Sequence, residues 1–134
     1  MLLAIHGGNV EGYAGGQESI IYLVSTAQAI KEASSQFVYT DGHGIMAITD
    51  FFDDLSDLNK IDWEIMKERY WANTPEDGDR KRRRQAEFLV HKFCPWTVVK
   101  MIGVLNQTAE NQVLELISKE SYKPEVKVKG NWYY

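Results

Sequence analysis

A run of five cations stands immediately before a short apolar segment that carries one carboxylate. The run covers residues 80–84 and reads Arg-Lys-Arg-Arg-Arg, and the carboxylate belongs to Glu87. Arginine binds phosphate through a planar, two-pronged guanidinium group, so such a run can hold a polyanion. A glutamate on a strand can act as a catalytic acid or base, because the backbone holds it in place. The pattern predicts a site that combines anion binding with acid–base chemistry.

Both features also have purely structural interpretations. The cations could neutralise acidic residues just before them, since charge runs usually form solvated surface. Glu87 could simply pair with one of the arginines, and spacing alone slightly favours that interpretation. The acidic residues concerned are Glu76, Asp77 and Asp79.

Two further groups of polar residues could carry chemistry. His43 lies between two glycines in an Asp-Gly-His-Gly turn, where it could donate to a phosphate or act as an acid–base group. A plain turn is the alternative, and it is favoured for the isolated motif. An acidic cluster in the next segment could hold a divalent ion. On an amphipathic helix such a cluster is usually the solvent face, so we expect no metal. The cluster consists of Asp53, Asp54 and Asp57.

Several aromatic residues follow the acidic cluster at helical spacing. They could stack nucleic acid bases, but their spacing beside Met66 favours a place in the core. They are Trp63, Tyr70 and Trp71. His91 and Cys94 are interpreted as packing residues, because no Cys–His nucleophile arrangement is recognisable.

Composition sets the frame for these candidates. The chain has 134 residues, 44% of them hydrophobic, which predicts one domain over residues 1–134 with a modest core. Its net charge of −4 means that any contact with nucleic acid must come from a local basic patch. One cysteine excludes an intramolecular disulfide, and the spacing of histidines and cysteine argues against zinc. No secretory or membrane-spanning segment is recognisable, so we expect a cytoplasmic protein without membrane contact.

The elements that must position these residues alternate in type along the chain. We predict a short helix or strand at residues 2–6, and strands at 19–24, 37–40, 86–92, 101–105 and 125–129. Helices are expected at residues 27–34, through 45–71 with Asp62 capping the second half, and at 108–119 with Thr108 as cap. In the last helix, Val113, Leu114 and Ile117 form the predicted buried stripe. The mixed order favours an α+β fold, a twisted mixed sheet flanked by helices.

Several stretches of the chain resemble the DarT family of DNA ADP-ribosyltransferase toxins. The string Arg-Arg-Gln-Ala-Glu-Phe-Leu-Val at residues 83–90 is specific to it. The Tyr-Thr-Asp-Gly-His turn at 39–43 and Phe-Phe-Asp-Asp-Leu at 51–55 also match. So do Asp-Trp at 62–63, Arg-Tyr-Trp at 69–71, Pro-Trp at 95–96 and the closing Trp-Tyr-Tyr. The resemblance covers essentially the whole chain.

This resemblance implies a fold, a reaction and a set of site residues. The expected fold is that of an ADP-ribosyltransferase, and the expected reaction transfers ADP-ribose from NAD to thymidine in single-stranded DNA. Glu87 matches the family's catalytic glutamate. Residues 40–85 match the substrate-recognition loop, which gives a DNA-binding role to His43, Arg82, Arg83 and Arg84. A macrodomain antitoxin that removes the modification is the expected partner, as in other toxin–antitoxin systems of this family.

The family pattern also predicts what precedes this stretch. Met1 aligns with an interior residue of the family, and the apolar start at residues 1–5 reads like the middle of a buried element. The family's NAD-binding histidine and arginine have no counterpart here, so the NAD-binding residues stay unassigned. We therefore expect a C-terminal part of a transferase with little activity alone. The alternatives are a non-catalytic remnant that binds single-stranded DNA and a metal nuclease using the acidic cluster.

Overall fold

The computed structural model describes residues 2–8, 10–33 and 35–134. Its helices are α1 (Leu2–His6), α2 (Ala27–Glu32), α3 (Trp63–Lys67), α4 (Arg80–Arg83) and α5 (Gln107–Leu116). Its strands are β1 (Tyr22–Val24), β2 (Phe37–Thr40), β3 (Phe51–Phe52), β4 (Phe88–Val90), β5 (Met101–Val104) and β6 (Glu125–Val128). The predicted α+β class is confirmed. Among the described residues, no helix is both long and apolar enough to cross a membrane.

The chain forms two compact units. Unit 1 consists of Met1–Thr26 with Pro95–Tyr134, and unit 2 consists of Ala27–Cys94. Unit 1 holds a mixed sheet in the order β1-β5-β6, with β1 antiparallel and β6 parallel to β5. Unit 2 holds an antiparallel sheet in the order β3-β2-β4. Each unit is described below by itself.

The core of unit 1 lies between its central strand and α5. Ile102 and Val104 of β5 pack with apolar residues of the helix and its C-cap, and they are among the most deeply buried side chains. The partners are Ala109 and Val113 of α5 and Ile117, which directly follows the helix. The strand predicted at residues 19–24 is present as the shorter β1, which is an edge strand with Leu23 54% exposed.

The start of α5 differs from the prediction. Asn106 is the capping residue, because its side-chain oxygen accepts a hydrogen bond from the Ala109 backbone N–H at 2.9 Å. Thr108 was predicted as the cap, and it lies inside the first turn instead. Leu114 was predicted to be buried and is 48% exposed. The buried stripe runs through Ala109, Val113 and Ile117, which are spaced four residues apart. Leu114 lies beside this stripe and is therefore exposed.

The aromatic C-terminus packs against other residues of unit 1. The rings of Trp132 and Tyr133 both meet Tyr22 edge-on with centroids 5.3 Å apart. The Tyr133 hydroxyl donates to the Ile20 carbonyl at 2.8 Å. Gly103 leaves room for this arrangement, because a Cβ there would lie 2.7 Å from the Trp132 ring.

The sheet of unit 2 is built on stacked aromatic rings. Phe88 of β4 stacks on Phe37 and Tyr39 of β2, with ring centroids 5.0 and 6.0 Å away. Tyr39 also meets Phe52 of β3 at 5.4 Å, and its hydroxyl donates to the Asp54 carbonyl. These contacts fix β2 as the central strand, with the bounds that the sequence predicted.

The predicted long helical stretch at residues 45–71 is wrong over most of its length. The structure has turns at residues 44–48, then β3 pairing with β2, a 3-10 turn at Leu55–Lys60, and the five-residue α3. No helix runs through Asp54. Its carboxylate accepts a hydrogen bond from the Ser56 N–H and so caps the start of the Leu55–Lys60 turn. Asp62 caps α3 as predicted, accepting from the Ile65 N–H at 3.1 Å.

The predicted burial of several side chains in and after this stretch is also wrong. Trp63 and Tyr70 were favoured as core residues, and both are exposed, Tyr70 by 83%. α3 ends at Lys67, so the helical spacing that would have buried Tyr70 does not continue. His91 and Cys94, interpreted as packing residues, are exposed as well. They follow β4, where the chain turns through Lys92 with a φ of 59°.

Candidate active site

The backbone of Glu87 is fixed by a buried threonine on the neighbouring strand. Thr40 is 1% exposed, and its hydroxyl oxygen accepts a hydrogen bond from the Glu87 N–H at 2.9 Å. In return, the Thr40 N–H donates to the Glu87 carbonyl, also at 2.9 Å. The strand assigned as β4 begins one residue later than Glu87, but these two bonds extend its pairing with β2. Glu87 therefore stands at a defined point at the end of the sheet.

The carboxylate of Glu87 points at the turn of residues 41–44. Its Oε2 accepts a hydrogen bond from the Gly44 N–H at 3.2 Å and lies 3.9 Å from His43 Nδ1. A Cβ at Gly44 would come within 2.9 Å of the same oxygen, so only glycine permits this approach without a shift. The side chains of His43 and Glu87 are 42% and 41% exposed. The pair is thus held in place but open to a substrate.

The turn itself is held by side chains from both of its flanks. The Thr40 hydroxyl donates to the Gly42 carbonyl at 2.6 Å, and the Thr49 hydroxyl donates to the His43 carbonyl at 2.8 Å. The His43 N–H donates to the Arg82 carbonyl at 3.1 Å. His43 therefore has both of its backbone polar groups satisfied.

The first of the predicted DNA-binding arginines, Arg82, lies beneath this turn. Its Nε and Nη2 donate to the two carboxylate oxygens of Asp79, at 2.8 and 2.9 Å. Its Nη1 donates to Asp41 Oδ1 at 3.0 Å. These bonds raise the pKa of Arg82 and hold the pKa of the Asp79 carboxyl below its usual range. The side chain is 11% exposed, so the guanidinium group is largely enclosed.

Arg83 is engaged in the same way on the other side of α4. Its Nη2 donates to Asp77 Oδ2 at 2.6 Å, and its Nε donates to Asp62 Oδ2 at 2.9 Å. The hydrogen bond with Arg83 lowers the pKa of the Asp77 carboxyl. The predicted neutralisation of the acidic residues by the basic run is confirmed for Asp77 and Asp79.

The remaining cations of the run are placed differently. Arg84 Nη1 meets the Met66 sulfur at 3.7 Å, and Arg84 Nε is sheltered without a hydrogen-bond partner among the described residues. Arg80 donates to the Tyr70 carbonyl at 3.0 Å. Lys81 is the exposed member of the run. The DNA-binding role of His43, Arg82, Arg83 and Arg84 stays a prediction.

A groove borders the strand segment that carries Glu87. It has a volume of about 680 Å³ and is lined by residues that include Val38, Leu89 and His91. Glu87 and Leu89 are two residues apart on an extended segment, so their side chains share a face. Glu87 itself is not among the residues that line the groove.

The acidic cluster does not form a metal site. Within residues 2–8, 10–33 and 35–134, the histidine, cysteine and acidic side chains nowhere gather as a metal-binding group. Asp54 caps the Leu55–Lys60 turn, and Asp57 pairs with Lys60 at 2.9 Å. Cap formation and a local ion pair account for two of the three acids.

Comparison with known proteins places these residues in a family. The family model described as "ssDNA thymidine ADP-ribosyltransferase, DarT" matches residues 1–134. The chain belongs to the DarT family. Among its curated relatives is a DNA ADP-ribosyl transferase of Thermus sp. (strain 2.9), which is 43% identical over 136 residues. That alignment covers 100% of this chain and 63% of the relative.

Solved DarT structures match the fold closely. Thermus sp. 2.9 DarT in complex with NAD+ has a TM-score of 0.91 at 41% identity, over 99% of this chain and 66% of that chain. The same protein in complex with ADP-ribosylated ssDNA has a TM-score of 0.92 at 41% identity, over 99% and 63%. The predicted ADP-ribosyltransferase-like fold is confirmed. The chain spans about three fifths of the length of the curated relatives it matches.

Sequence reasoning missed the residues that position the DarT glutamate. Thr40 and Gly44 were seen only as the end of a strand and part of a turn. The acid-then-base order of residues 76–84 indicated the pairing of Arg82 with Asp79, but it gave no sign of Asp41. Such contacts join positions about 40 residues apart, and no local pattern encodes them.

Proposed function

We propose that this chain carries the catalytic glutamate of an NAD-dependent transferase that attaches ADP-ribose to thymidine in single-stranded DNA. The observation that carries the proposal is the Glu87 carboxylate, half exposed and aimed by the Gly44 N–H beside His43. Family membership and the solved complexes of Thermus sp. 2.9 DarT with NAD+ and with ADP-ribosylated ssDNA support the substrates.

In the proposed reaction, a carboxylate at this position has two roles. When NAD is bound, it supplies a ribose carbon that gains positive charge as the bond to nicotinamide breaks and the electron pair leaves with nicotinamide. Glu87 provides the negative charge that stabilises this carbon. Glu87 also accepts the proton of the thymine ring nitrogen as that nitrogen forms the new bond to the carbon. The backbone bonds to Thr40 and the Gly44 N–H keep the carboxylate oriented for both steps.

The contacts to DNA are divided among the predicted residues by their availability. Arg82 and Arg83 already donate to carboxylates, which favours a supporting role for both. Lys81 is exposed, and Arg84 forms no ion pair with a carboxylate of the described residues, so we assign phosphate contact to these two cations. His43 stands next to Glu87 and is half exposed, which suits a contact to the target nucleotide itself.

The biological setting follows from the substrate. A thymine base must be unpaired to reach an open carboxylate, which favours single-stranded DNA over a duplex. We propose that the protein acts in the cytoplasm, where bacterial DNA is accessible, as the toxin of a toxin–antitoxin pair. A macrodomain that removes ADP-ribose from DNA is the proposed antitoxin partner.

The test replaces Glu87 by its neutral isostere. Glu87→Gln keeps the size and removes the charge, so we expect nicotinamide release with single-stranded DNA and NAD to fall by about 10²- to 10⁴-fold. Mass spectrometry of the DNA checks that the lost product is an ADP-ribose adduct. Glu125→Gln is the matched control, because Glu125 is an exposed strand carboxylate paired with Lys127 in unit 1.

Two outcomes would reject the proposed enzyme. Equal turnover by the wild type and Glu87→Gln would remove Glu87 from the reaction. DNA binding without any nicotinamide release, lost on Arg84→Ala, would instead indicate a single-stranded DNA-binding module. Arg84 contacts Met66 and forms no ion pair with a carboxylate of the described residues, so its substitution separates binding from catalysis.

A further inference from the structure

We propose that Arg82 is a positioning residue, whose guanidinium group fixes the turn of residues 41–44 and so holds the Gly44 N–H against the Glu87 carboxylate. The inference rests on the proposed role of Glu87 and deepens it. Arg82 was predicted to bind DNA, but its contacts assign it to the architecture of the site.

The guanidinium group of Arg82 joins two segments that are distant in sequence. On one side it holds the Asp79 carboxylate through two parallel hydrogen bonds at 2.8 and 2.9 Å. On the other side its Nη1 reaches Asp41 Oδ1 at 3.0 Å and Thr49 Oγ1 at 3.5 Å. Without the cation, two carboxylates would face each other across this space and repel. The guanidinium group therefore fastens the start of the turn to α4.

The shape of the turn is fitted to this side chain. A Cβ at Gly42 would lie 2.4 Å from Arg82 Nη1 and 2.9 Å from Arg82 Cγ. Any larger residue at Gly42 would therefore push the guanidinium group out of its position. The Arg82 backbone contributes as well, because its carbonyl accepts the His43 N–H at 3.1 Å. Side chain and backbone of one residue thus hold three consecutive positions of the turn.

The turn passes this constraint to the reactive group. Asp41 begins the turn, and Gly44 at its far end donates to Glu87 Oε2 at 3.2 Å. Asp41 Oδ1 also accepts the Asp50 N–H at 2.9 Å, so the same carboxylate fixes the returning strand. If Arg82 is removed, the Gly44 N–H loses its fixed direction, and the carboxylate loses the partner that orients it.

Phosphate binding by Arg82 is the competing interpretation, and the geometry disfavours it. The side chain is 11% exposed, and most of its N–H donors are engaged by Asp79, Asp41 and Thr49. A phosphate would have to displace a bidentate carboxylate that is already in place. Arg83 offers a natural comparison, since it is equally ion-paired on the same helix, with Asp77 and Asp62, outside the turn.

The decisive experiment observes the Gly44 N–H directly by nuclear magnetic resonance. In the wild-type chain the Gly44 amide signal should move when Glu87 is replaced by Gln, because this N–H donates to the Glu87 carboxylate. In an Arg82→Ala background the same Glu87→Gln replacement should no longer move the signal, and neither should it in Arg82→Lys, which keeps the charge but lacks the fork. In Arg83→Ala the response should persist. A Gly44 signal that still responds to Glu87→Gln in Arg82→Ala, or an equal loss of the response in Arg83→Ala, would refute the proposal.

A second variant covers the case in which Arg82→Ala fails to fold. Gly42→Ala retains every charge and only displaces the guanidinium group, so it should produce the same loss of the Gly44 response to Glu87→Gln. An unchanged response in folded Gly42→Ala would refute the proposal equally. This readout needs neither NAD nor DNA, so it stands even if the chain proves inactive and the proposed function fails.

Activity adds a separate prediction where turnover is measurable. A displaced carboxylate should lower kcat by about 100-fold and leave KM for DNA unchanged, because small misplacements of reacting groups are costly. A phosphate-binding Arg82 would show the opposite pattern, with a raised KM for DNA and an unchanged kcat. That result would overturn the positioning role.

Discussion

Glu87 shows how an exposed carboxylate can be placed accurately without being buried. Its backbone is tied to the buried Thr40 hydroxyl, and its side chain meets one backbone N–H, that of Gly44. Neither partner can rotate away, since one sits in the sheet and the other in a turn held on both flanks. A carboxylate oriented in advance has little left to reorganise when charge develops beside it. The same exposure leaves room for a substrate.

Gly44 is the residue at which this arrangement can be disturbed most selectively. In Gly44→Ala the new methyl group would meet Glu87 Oε2 at 2.9 Å, and the flexible carboxylate would move aside. We expect nicotinamide release to fall by about 100-fold. The free energy of unfolding should change by less than about 0.5 kcal/mol, because no core contact is touched.

The matched control for this prediction is Gly78→Ala. A Cβ at Gly78 meets nothing within 4 Å, and it lies in the loop before α4. Turnover should therefore stay at the wild-type level while the unfolding free energy, measured in urea, stays equally unchanged. If both alanine variants lost activity to the same degree, the contact with Glu87 would not be the cause.

The sequence predicted some of the residues and contacts of the candidate site, but not all of them. The spacing of Glu87 was compatible with a catalytic role and with a structural ion pair. Only the resemblance to DarT favoured the catalytic role. The ion pairs of Arg82 and Arg83 could be anticipated from the acids that precede them by a few positions. Their further partners, Asp41 and Asp62, come from other segments that only the folded chain brings near.

Among the elements, α5 offers a clean test of how a helix start is chosen. Asn106 accepts the Ala109 N–H with its side-chain oxygen, which satisfies one of the free N–H groups of the first turn. Asn106→Ala should therefore lower the unfolding free energy by about 1 kcal/mol. Thr108→Ala, at the position that the sequence favoured, should cost clearly less. The comparison is made by urea unfolding followed by circular dichroism.

A reversed order of these two effects would place the helix start at Thr108 after all. Both residues are short and polar, so composition alone cannot rank them. The deciding feature is the backbone, which is extended at Asn106 with a φ of −150° and a ψ of 177°. An extended residue directly before helical ones is the geometry of a cap.

The elements that were predicted best are those with strong local chemistry. β2 has the predicted bounds because a β-branched and aromatic run ends at an Asp-Gly turn. Residues 45–71 were mistaken for helix because short apolar runs spaced by acids fit either period. The pairing of Phe51 and Phe52 with β2 decided the outcome there, and pairing between strands is a tertiary effect.

On the scale of the whole molecule, the charge balance limits how this acidic chain could bind the single-stranded DNA proposed as its substrate. The net charge is −4, and Arg82 and Arg83 are neutralised internally. Attraction over distance is therefore weak, and binding should depend on a few direct contacts and on base recognition.

The salt dependence of DNA binding measures how many phosphates the protein contacts. If Lys81 and Arg84 are the phosphate contacts, the logarithm of the binding constant should fall against the logarithm of salt with a slope between about −1 and −2. Fluorescence anisotropy with a labelled single strand gives the slope. Lys81→Ala should reduce it by about 0.7, whereas Arg83→Ala should leave it unchanged. A slope far steeper than this would mean that Arg82 and Arg83 also engage the phosphates.

The pH dependence of the unfolding free energy tests the internal ion pair between Arg82 and Asp79. The hydrogen bond from Arg82 holds the pKa of the Asp79 carboxyl below its ordinary value of 3.8. A lowered folded-state pKa contributes stability above the unfolded-state value, and this contribution is lost as pH falls through the folded-state pKa. The wild-type chain should therefore lose stability below about pH 4, and Asp79→Asn should lose less over that range. At neutral pH the variant should already be the less stable of the two.

Asp50→Asn is the control for this acid limb, because Asp50 has an exposed side chain in the same unit. Its urea unfolding curve should follow the wild type at every pH. The Arg82–Asp79 pair also supports the turn that faces Glu87, so acid should release the Gly44 N–H before unit 2 unfolds. If Asp79→Asn kept the full acid slope of the wild type, the Asp79 carboxylate would contribute nothing to holding this part of the molecule together.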